Sequence, residues 1–280
     1  MCRVTVPLSF CSSRFLCEIG EKSVKVCTFA SGSSGNCAFV SYGNTHLLVD
    51  AGISLRRITY NLRAMKLSPN MLSGILITHE HADHISALKM IAKYYEIPIY
   101  AVSKTAESIQ NLFPGVVHCL HSFETGSEFY IRDMIISSFL TPHDTKESVG
   151  YRISNGEKSV AFVTDLGFVP QNVYNAIVGT DTVVLESNHD VSMLRHGKYP
   201  SYLKRRILDN RGHLSNDECA RFAVALAKKG TKRIILAHLS KENNTPECAF
   251  ETVKKALVEQ NAMVELCVAP AAQAGEIYIV

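Results

Sequence analysis

The sequence predicts an α/β protein, with the segregated strands of an α+β fold, in which two β-sheets pack face to face with helices outside. Three observations predict it. Residues from 24 onward open as short strands joined by tight turns, strand-helix alternation follows, and the same order recurs in the second half of the chain. No linker, repeat or low-complexity tract separates the halves. Residues 24–280 are therefore read as one domain and residues 1–23 as a disordered extension.

KVCTFA, CAFVSY and THLLVD read as strands, joined by the Ser/Gly turn SGSSGN (31–36) and by Gly43-Asn44, residue types that turn the chain at little cost. Residues 54–66 place Leu55, Ile58, Leu62 and Met65 at helical spacing, with Arg56, Arg57 and Arg63 elsewhere, which predicts an amphipathic helix. GILIT (74–78) reads as a buried strand, 84–95 as a helix, IPIYAV as a strand and KTAESIQNLF as a helix ended by Pro114-Gly115. The middle differs, since EFYIRD, MIISSFL, VGYRIS and SVAFVTD are all strands, with Asn155-Gly156 as a hairpin signal. Alternation then returns through PQNVYNAI (helix), TVVLE (strand), SYLKRRILDN and NDECARFAVALAKK (helices), RIILAH (strand), PECAFETVKKALVEQ (helix) and VELCV (strand).

With 46% apolar residues in 280, the chain has enough to bury a full core. Its 29 Lys+Arg against 26 Asp+Glu leave a formal charge of +3, which excludes a uniformly basic coat protein or an acidic solvating chain. No apolar run reaches the roughly 18 to 20 residues that cross a bilayer. The nine cysteines are odd in number and none stands in a C-x-x-C arrangement, so reduced thiols in a cytosol are expected rather than a disulfide framework or a thiolate zinc knuckle. The stretch 4–13 has some signal-peptide character, but Pro7, the serines and the bulky Phe10 before Cys11 interrupt it.

Histidine carries the chemistry. Of eleven, three fall within His79-Glu80-His81-Ala82-Asp83-His84, at the end of the GILIT strand. Residues two apart on an extended chain point to one side, so His79 and His81 can grip one cation. The chain must then turn, because His84 begins a helix, and the turn re-aims Asp83 and His84 toward a second position.

H-x-H-x-D-H after a strand is the signature loop of the metallo-β-lactamase superfamily, which the sequence resembles over essentially all of residues 24–280. The resemblance implies a four-layer αββα sandwich with its site at the sheet edges. It also implies roles, in order along the chain. Asp50, ending LLVDAG, resembles the aspartate that orients the His-rich loop. His143 in LTPHD resembles the third histidine of the first ion, Asp165 in AFVTDLG the aspartate between the ions, and His238 in ILAHLS the last ligand of the second. The implied set is His79, His81 and His143 on one ion, Asp83, His84 and His238 on the other, with Asp165 shared. Two cations so placed can hold a bridging hydroxide and clamp anionic oxygens, chemistry suited to phosphodiester hydrolysis. The N/O-rich set suits Zn²⁺ or Mn²⁺.

Other histidines divide. His46, His118, His121 and His196 match no motif, and His189 in LESNHD is open between cleft and ordinary packing. His213 in RGHLSNDECARFA resembles the histidine that, in phosphodiesterase branches such as ribonuclease Z, contacts the scissile phosphate or protonates the leaving oxygen; it is counted as catalytic together with Asp83. The ordinary alternative is a residue at a helix start, with Ser215 as N-cap and Glu218 completing a capping box.

The segments FASGSSGNCAFV, THEHADH, TDLGFV, LESNHD, YPSYLKRRI, RGHLSN and HLSKENNTPE, in that order, resemble the WalJ (VicX/YycJ) family. Only 73 residues separate Asp165 from His238, too few for the cap domain of ribonuclease J-like nucleases. The family implies a cytosolic, metal-dependent 5′ to 3′ DNA exonuclease, RNA not being excluded, whose genes often neighbour a cell-wall two-component system. Independent support comes from residues 193–213, where Arg195, Lys198, Lys204, Arg205, Arg206 and Arg211 meet only Asp209, with Tyr199 and Tyr202 interleaved. Consecutive helical residues fan over about 200°, so Lys204, Arg205 and Arg206 cannot all touch one backbone, and a solvated face is the alternative. Ser33 and Asn36 of the SGSSGN turn, Asn188, Arg195, Lys204 and Arg205 are the substrate-contact candidates. The competing functions are a small-molecule hydrolase of thioesters, lactones or lactams, a ribonuclease Z-like RNA endonuclease, and a metal-binding regulator without turnover.

Overall fold

The computed structural model describes residues 23–280; the extension expected over residues 1–23 lies, apart from Ser23, outside them. The first sheet starts with β1 (Lys25–Ala30), β2 (Cys37–Tyr42) and β3 (Thr45–Val49), an antiparallel meander. After α1 (Leu55–Ala64), β4 (Gly74–Leu76) returns parallel to β3. Beyond α2 (Ala82–Ile85) and α3 (Leu88–Tyr94), β5 (Ile99–Val102), α4 (Ser103–Leu112) and β6 (Leu120–Phe123) continue the parallel part.

The second sheet repeats the plan. β7 (Glu128–Ile131), β8 (Met134–Thr141), β9 (Ser148–Ser154) and β10 (Ser159–Val163) run antiparallel. Parallel strands follow: α5 (Gln171–Ile177) leads to β11 (Thr182–Glu186), then α6 (Val191–His196), α7 (Ser201–Leu208) and α8 (Asn216–Ala227) to β12 (Arg233–Ala237), and α9 (Pro246–Glu259) to β13 (Glu265–Val268). β14 (Tyr278–Ile279) crosses back to pair with β1, giving two seven-stranded sheets.

The strand period explains the layers. Along β3, Leu47 faces the second sheet and packs in a core with Tyr151 and Phe162, while Leu48 faces outward against Ile58 and Leu62 of α1. A third core lies between the second sheet and α8 and α9, with Leu236, Phe222 and Val253. The result is the αββα order expected. Burying each of these large side chains contributes about 1.5–3 kcal/mol, and a direct tie joins the sheets beside the site: the buried Tyr151 hydroxyl of β9 donates to the Ile77 carbonyl at 2.6 Å. No helix among the described residues is long and apolar enough to cross a membrane.

Several local expectations change. The helix expected over 84–95 begins at Ala82 and is broken between Ile85 and Leu88, because the Ala51 N–H takes the His84 carbonyl and the Ala87 N–H turns to the Ala51 carbonyl. Strand β4 is shorter than GILIT, since the Thr78 N–H leaves the ladder for Asp50 Oδ1. Ser215 caps α8 as expected, accepting from the Glu218 N–H, but the Glu218 side chain pairs with Arg221 instead of closing the capping box. Helix α6, whose Asp190 cap accepts from the Met193 N–H, and the short edge strands β6 and β14 have no clear signal in the sequence.

Candidate metal centre

Both sheets present the ends of parallel strands to one edge, where open α/β sheets place their ligands. Asp50 follows β3, the His-rich loop follows β4, Asp165 follows β10, Glu186 ends β11 and His238 follows β12. Asp50, Asp165 and His238 all adopt left-handed backbone, with φ of 61°, 60° and 55°. A non-glycine residue held there costs on the order of 1–3 kcal/mol, and such strain gathers at functional sites. Gly52 lets the loops close, because a Cβ there would overlap the Asp83 carbonyl, and the Asn36 N–H donates to that same carbonyl at 2.7 Å.

The expected ligands converge. Donor atoms of His79, His81 and His143 lie within 4.8 Å of one another, as do those of Asp83, His84 and His238, and those of His79, His84 and Asp165. The imidazoles of four of these histidines are fixed from behind, through Nδ1. The His84 Nδ1–H donates to Asp50 Oδ2 at 2.8 Å, that of His143 to the Gly212 carbonyl at 3.1 Å, and that of His238 to Glu186 Oε1 at 2.8 Å. The Thr78 hydroxyl has one proton, given to Asp50, so its oxygen accepts from the His79 Nδ1–H at 3.0 Å.

What remains points inward. Nε2 of His79, His143 and His238 and Oδ2 of Asp165 are buried without a hydrogen-bond partner among the described residues. Buried polar atoms are nearly always paired, so these four orphans, three of them on imidazoles anchored through Nδ1, fit a divalent cation site built from nitrogen and oxygen donors.

The charges are strongly coupled. Burial alone would lower the His84 pKa, but Asp50 and Asp165 outweigh it and hold it at about 10. His238 is likewise raised well above its ordinary value, burial being outweighed by Asp165, Asp83 and Glu186. His79 moves the other way, driven well down by burial and by the neighbouring His84 and His143. Burial would raise Asp83, yet the neighbouring His238 and His84 carry its carboxyl below the usual range.

His213 stands apart, its side chain 24% exposed. Its Nδ1–H donates to Glu186 Oε1 at 2.8 Å, and although burial opposes the charge, Glu186 raises its pKa. Glu186, fully buried, thus receives both His213 and His238 on one oxygen, while its other oxygen accepts the N–H groups of Leu166 and Leu214. Glu186, like Thr78 and Asp144, is a site residue missing from the sequence reading. Its signal was the one that marks Asp50, an acid at the end of an apolar run (TVVLE beside THLLVD).

A cavity of about 200 Å³ opens in front of the cluster, with Ser33 and Asn188 among its lining residues. Asn36 sits behind it, its Oδ1 accepting the Gly32 N–H and its Nδ2 reaching Asp83 Oδ2 and His84 Nε2. The SGSSGN turn spends the Gly32, Gly35 and Asn36 N–H groups on protein acceptors, which removes them as phosphate donors. Arg195, Lys204 and Arg205 do not line the cavity, and Lys204 Nζ donates to the Arg195 carbonyl at 2.7 Å. Arg206 does line it, paired with Asp144, while Arg211 binds the carbonyls of His143 and Thr145. The basic strip is thus partly a clamp on the His143 loop. His189 is buried outside the lining, and burial lowers its pKa to about 4.

Residues 45–239 match the family model described as a beta-lactamase superfamily domain. The chain is 39% identical over 232 residues to the exodeoxyribonuclease YycJ of Bacillus anthracis, covering 82% of this chain and 88% of that protein. It is 38% identical over 244 residues to the exodeoxyribonuclease WalJ of Streptococcus pneumoniae, covering 86% and 91%. Among solved structures, the metallo-beta-lactamase fold protein YhfI of Bacillus subtilis superposes with a TM-score of 0.69 at 17% identity, over 92% of this chain and 100% of that one, a likeness of fold.

Proposed function

The chain belongs to the beta-lactamase superfamily and, within it, to the YycJ/WalJ family of exodeoxyribonucleases, and from that premise we propose that it is a metal-dependent exonuclease that degrades DNA from 5′ to 3′. The observation that carries the reading is the set of unpaired buried donors, two of which, His143 and His238, line a cavity together with His213. In this reading His79, His81 and His143 would hold one divalent ion and Asp83, His84 and His238 the other, with Asp165 available to both. The donor set supports Zn²⁺ or Mn²⁺. When bound, such a pair supplies a water ionised near neutral pH and positive charge for phosphoryl oxygens.

The chain's own groups do the rest. Asp50 and Glu186 fix the tautomers of His84 and His238. Asp83, kept ionised by its histidine neighbours, accepts the proton that the attacking water gives up. His213, held by Glu186, which raises its pKa, donates a proton from Nε2 to the leaving oxygen. The six described cysteines are free thiols, which supports a reducing cytoplasm. A link to a cell-wall two-component system is supported by family membership alone.

The test is digestion of DNA labelled at its 5′ or 3′ end, with Mn²⁺ or Zn²⁺ added. A 5′ label should leave at once as a mononucleotide while the 3′ label stays on shortening strands. Internal cuts, preference for RNA, or turnover of thioesters or lactams without DNA products would each contradict the reading.

A further inference from the structure

The cavity has two unlike walls. One is the histidine and carboxylate cluster; the other is a single helix face, where Leu203, Arg206 and Ile207 stand at i, i+3 and i+4 on α7 with Tyr199 just before it. Nothing in metal coordination calls for a tyrosine and two aliphatic side chains opposite the cluster. Tyr202, by contrast, is 69% exposed and does not line the cavity.

This wall is fixed in place relative to the reacting groups. The His213 N–H donates to the Ile207 carbonyl at 3.0 Å, and a Cβ at Gly212 would overlap the carbonyls of Arg206 and Ile207, so α7 is seated directly on the backbone that carries His213. Arg206 and Asp144 tie the same helix to the His143 loop.

Size and chemistry then select the occupant. At about 200 Å³ the cavity is smaller than the roughly 300–1,000 Å³ of pockets for larger ligands, a size that suits one nucleoside-sized group beside the cluster. An aromatic ring beside a leucine offers a base a stacking surface whatever the base. Asp144 takes the Nε–H of Arg206, and of the five N–H donors a guanidinium carries four remain on a side chain that is 58% exposed.

We propose that Tyr199 and Leu203 form a shelf that stacks the terminal nucleobase of a DNA strand, with Arg206 on a backbone phosphate, so that the α7 wall sets release at one nucleotide per cleavage. The proposal rests on the exodeoxyribonuclease reading and adds the residues that determine the length of the product.

The experiment compares metal-loaded wild type, Tyr199→Ala and Tyr199→Phe on two single strands that differ only at the end attacked, one intact and one carrying an abasic sugar. Wild type should favour the intact end in kcat/KM by about tenfold, within the worth of one stacked base, mainly through KM. Tyr199→Ala should bring that ratio close to one and release some dinucleotides, whereas Tyr199→Phe, which keeps the ring, should keep the ratio. Leu203→Ala gives a second variant should Tyr199→Ala fail to fold, and it should lower the ratio in the same direction. A wild type that cleaves both ends equally, or a ratio unmoved by Tyr199→Ala or Leu203→Ala, overturns the shelf while leaving the nuclease standing. No DNA cleavage by the metal-loaded wild type overturns both.

Discussion

Asp50 and Glu186 occupy matching places in the two sheets, each a buried carboxylate at the end of a parallel strand holding the Nδ1 of a histidine at 2.8 Å. Each histidine in turn directs Nε2 toward Asp83 Oδ2, from 3.5 Å for His84 and 3.7 Å for His238. Their other partners differ. Asp50 spends its remaining capacity on Thr78, the residue at the root of the His-rich loop, whereas Glu186 also holds His213, which opens into the cavity. One sheet's carboxylate therefore supports the candidate cation site alone, and the other couples that site to a histidine that lines the cavity.

The comparison breaks most visibly at the residue both sheets share. Asp165→Ala should lower the metal content by about one ion per chain and the nuclease rate by about 10⁴-fold, the scale lost when a reacting unit loses a member; elemental analysis and the end-label assay check both numbers. Asp50→Asn and Glu186→Gln separate the two halves. Asp50→Asn should weaken metal affinity by about 10- to 100-fold and regain most of its rate at saturating Mn²⁺. Glu186→Gln should stay about 10² to 10⁴-fold slow in kcat even when saturated, as should His213→Ala with its metal content intact. Equal recovery of Asp50→Asn and Glu186→Gln in a metal titration would erase the distinction.

A smaller effect follows from His84. Its pKa in the folded, metal-free protein, about 10, lies above the unfolded value near 6.5. The stability it contributes is therefore fully present below pH 6.5 and is lost as pH rises through 10. Thermal unfolding of the chelated protein should show Tm falling across that window, and uptake of metal should release protons. A flat Tm from pH 6.5 to 10 would mean that Asp50 does not hold a charged His84. The smallest effect belongs to the outer strip. Each phosphate neutralised adds about −0.9 to the slope of log K against log salt, so Arg205→Ala, away from the cavity, should flatten DNA binding by about one unit or less, read by fluorescence anisotropy with the slow His213→Ala as parent.

The same contrast explains what could be read in advance. H-x-H-x-D-H lies within six residues, so local geometry alone puts its side chains together. His143, Asp165 and His238 are scattered, and their grouping depends on the order of strands in a sheet that spacing does not encode; the resemblance supplied it. Glu186 went unread because a strand-end acid looks the same whether it meets two histidines or water. The break between α2 and α3 and the short β4 arise from backbone bonds to Ala51 and side-chain bonds to Asp50, contacts more than 25 residues away in sequence that propensity cannot register. Counting charges found the basic strip, but only the folded chain pairs Arg206 with Asp144 and Arg211 with the His143 carbonyl.

The most direct test strips the purified protein with a chelator, restores Mn²⁺ or Zn²⁺ stepwise, and follows bound metal and mononucleotide release from end-labelled DNA in the same samples. The account predicts no release from the stripped protein and full release as bound metal approaches two ions per chain. Release by the stripped protein, or saturation of activity with no metal bound to the cluster, would contradict it.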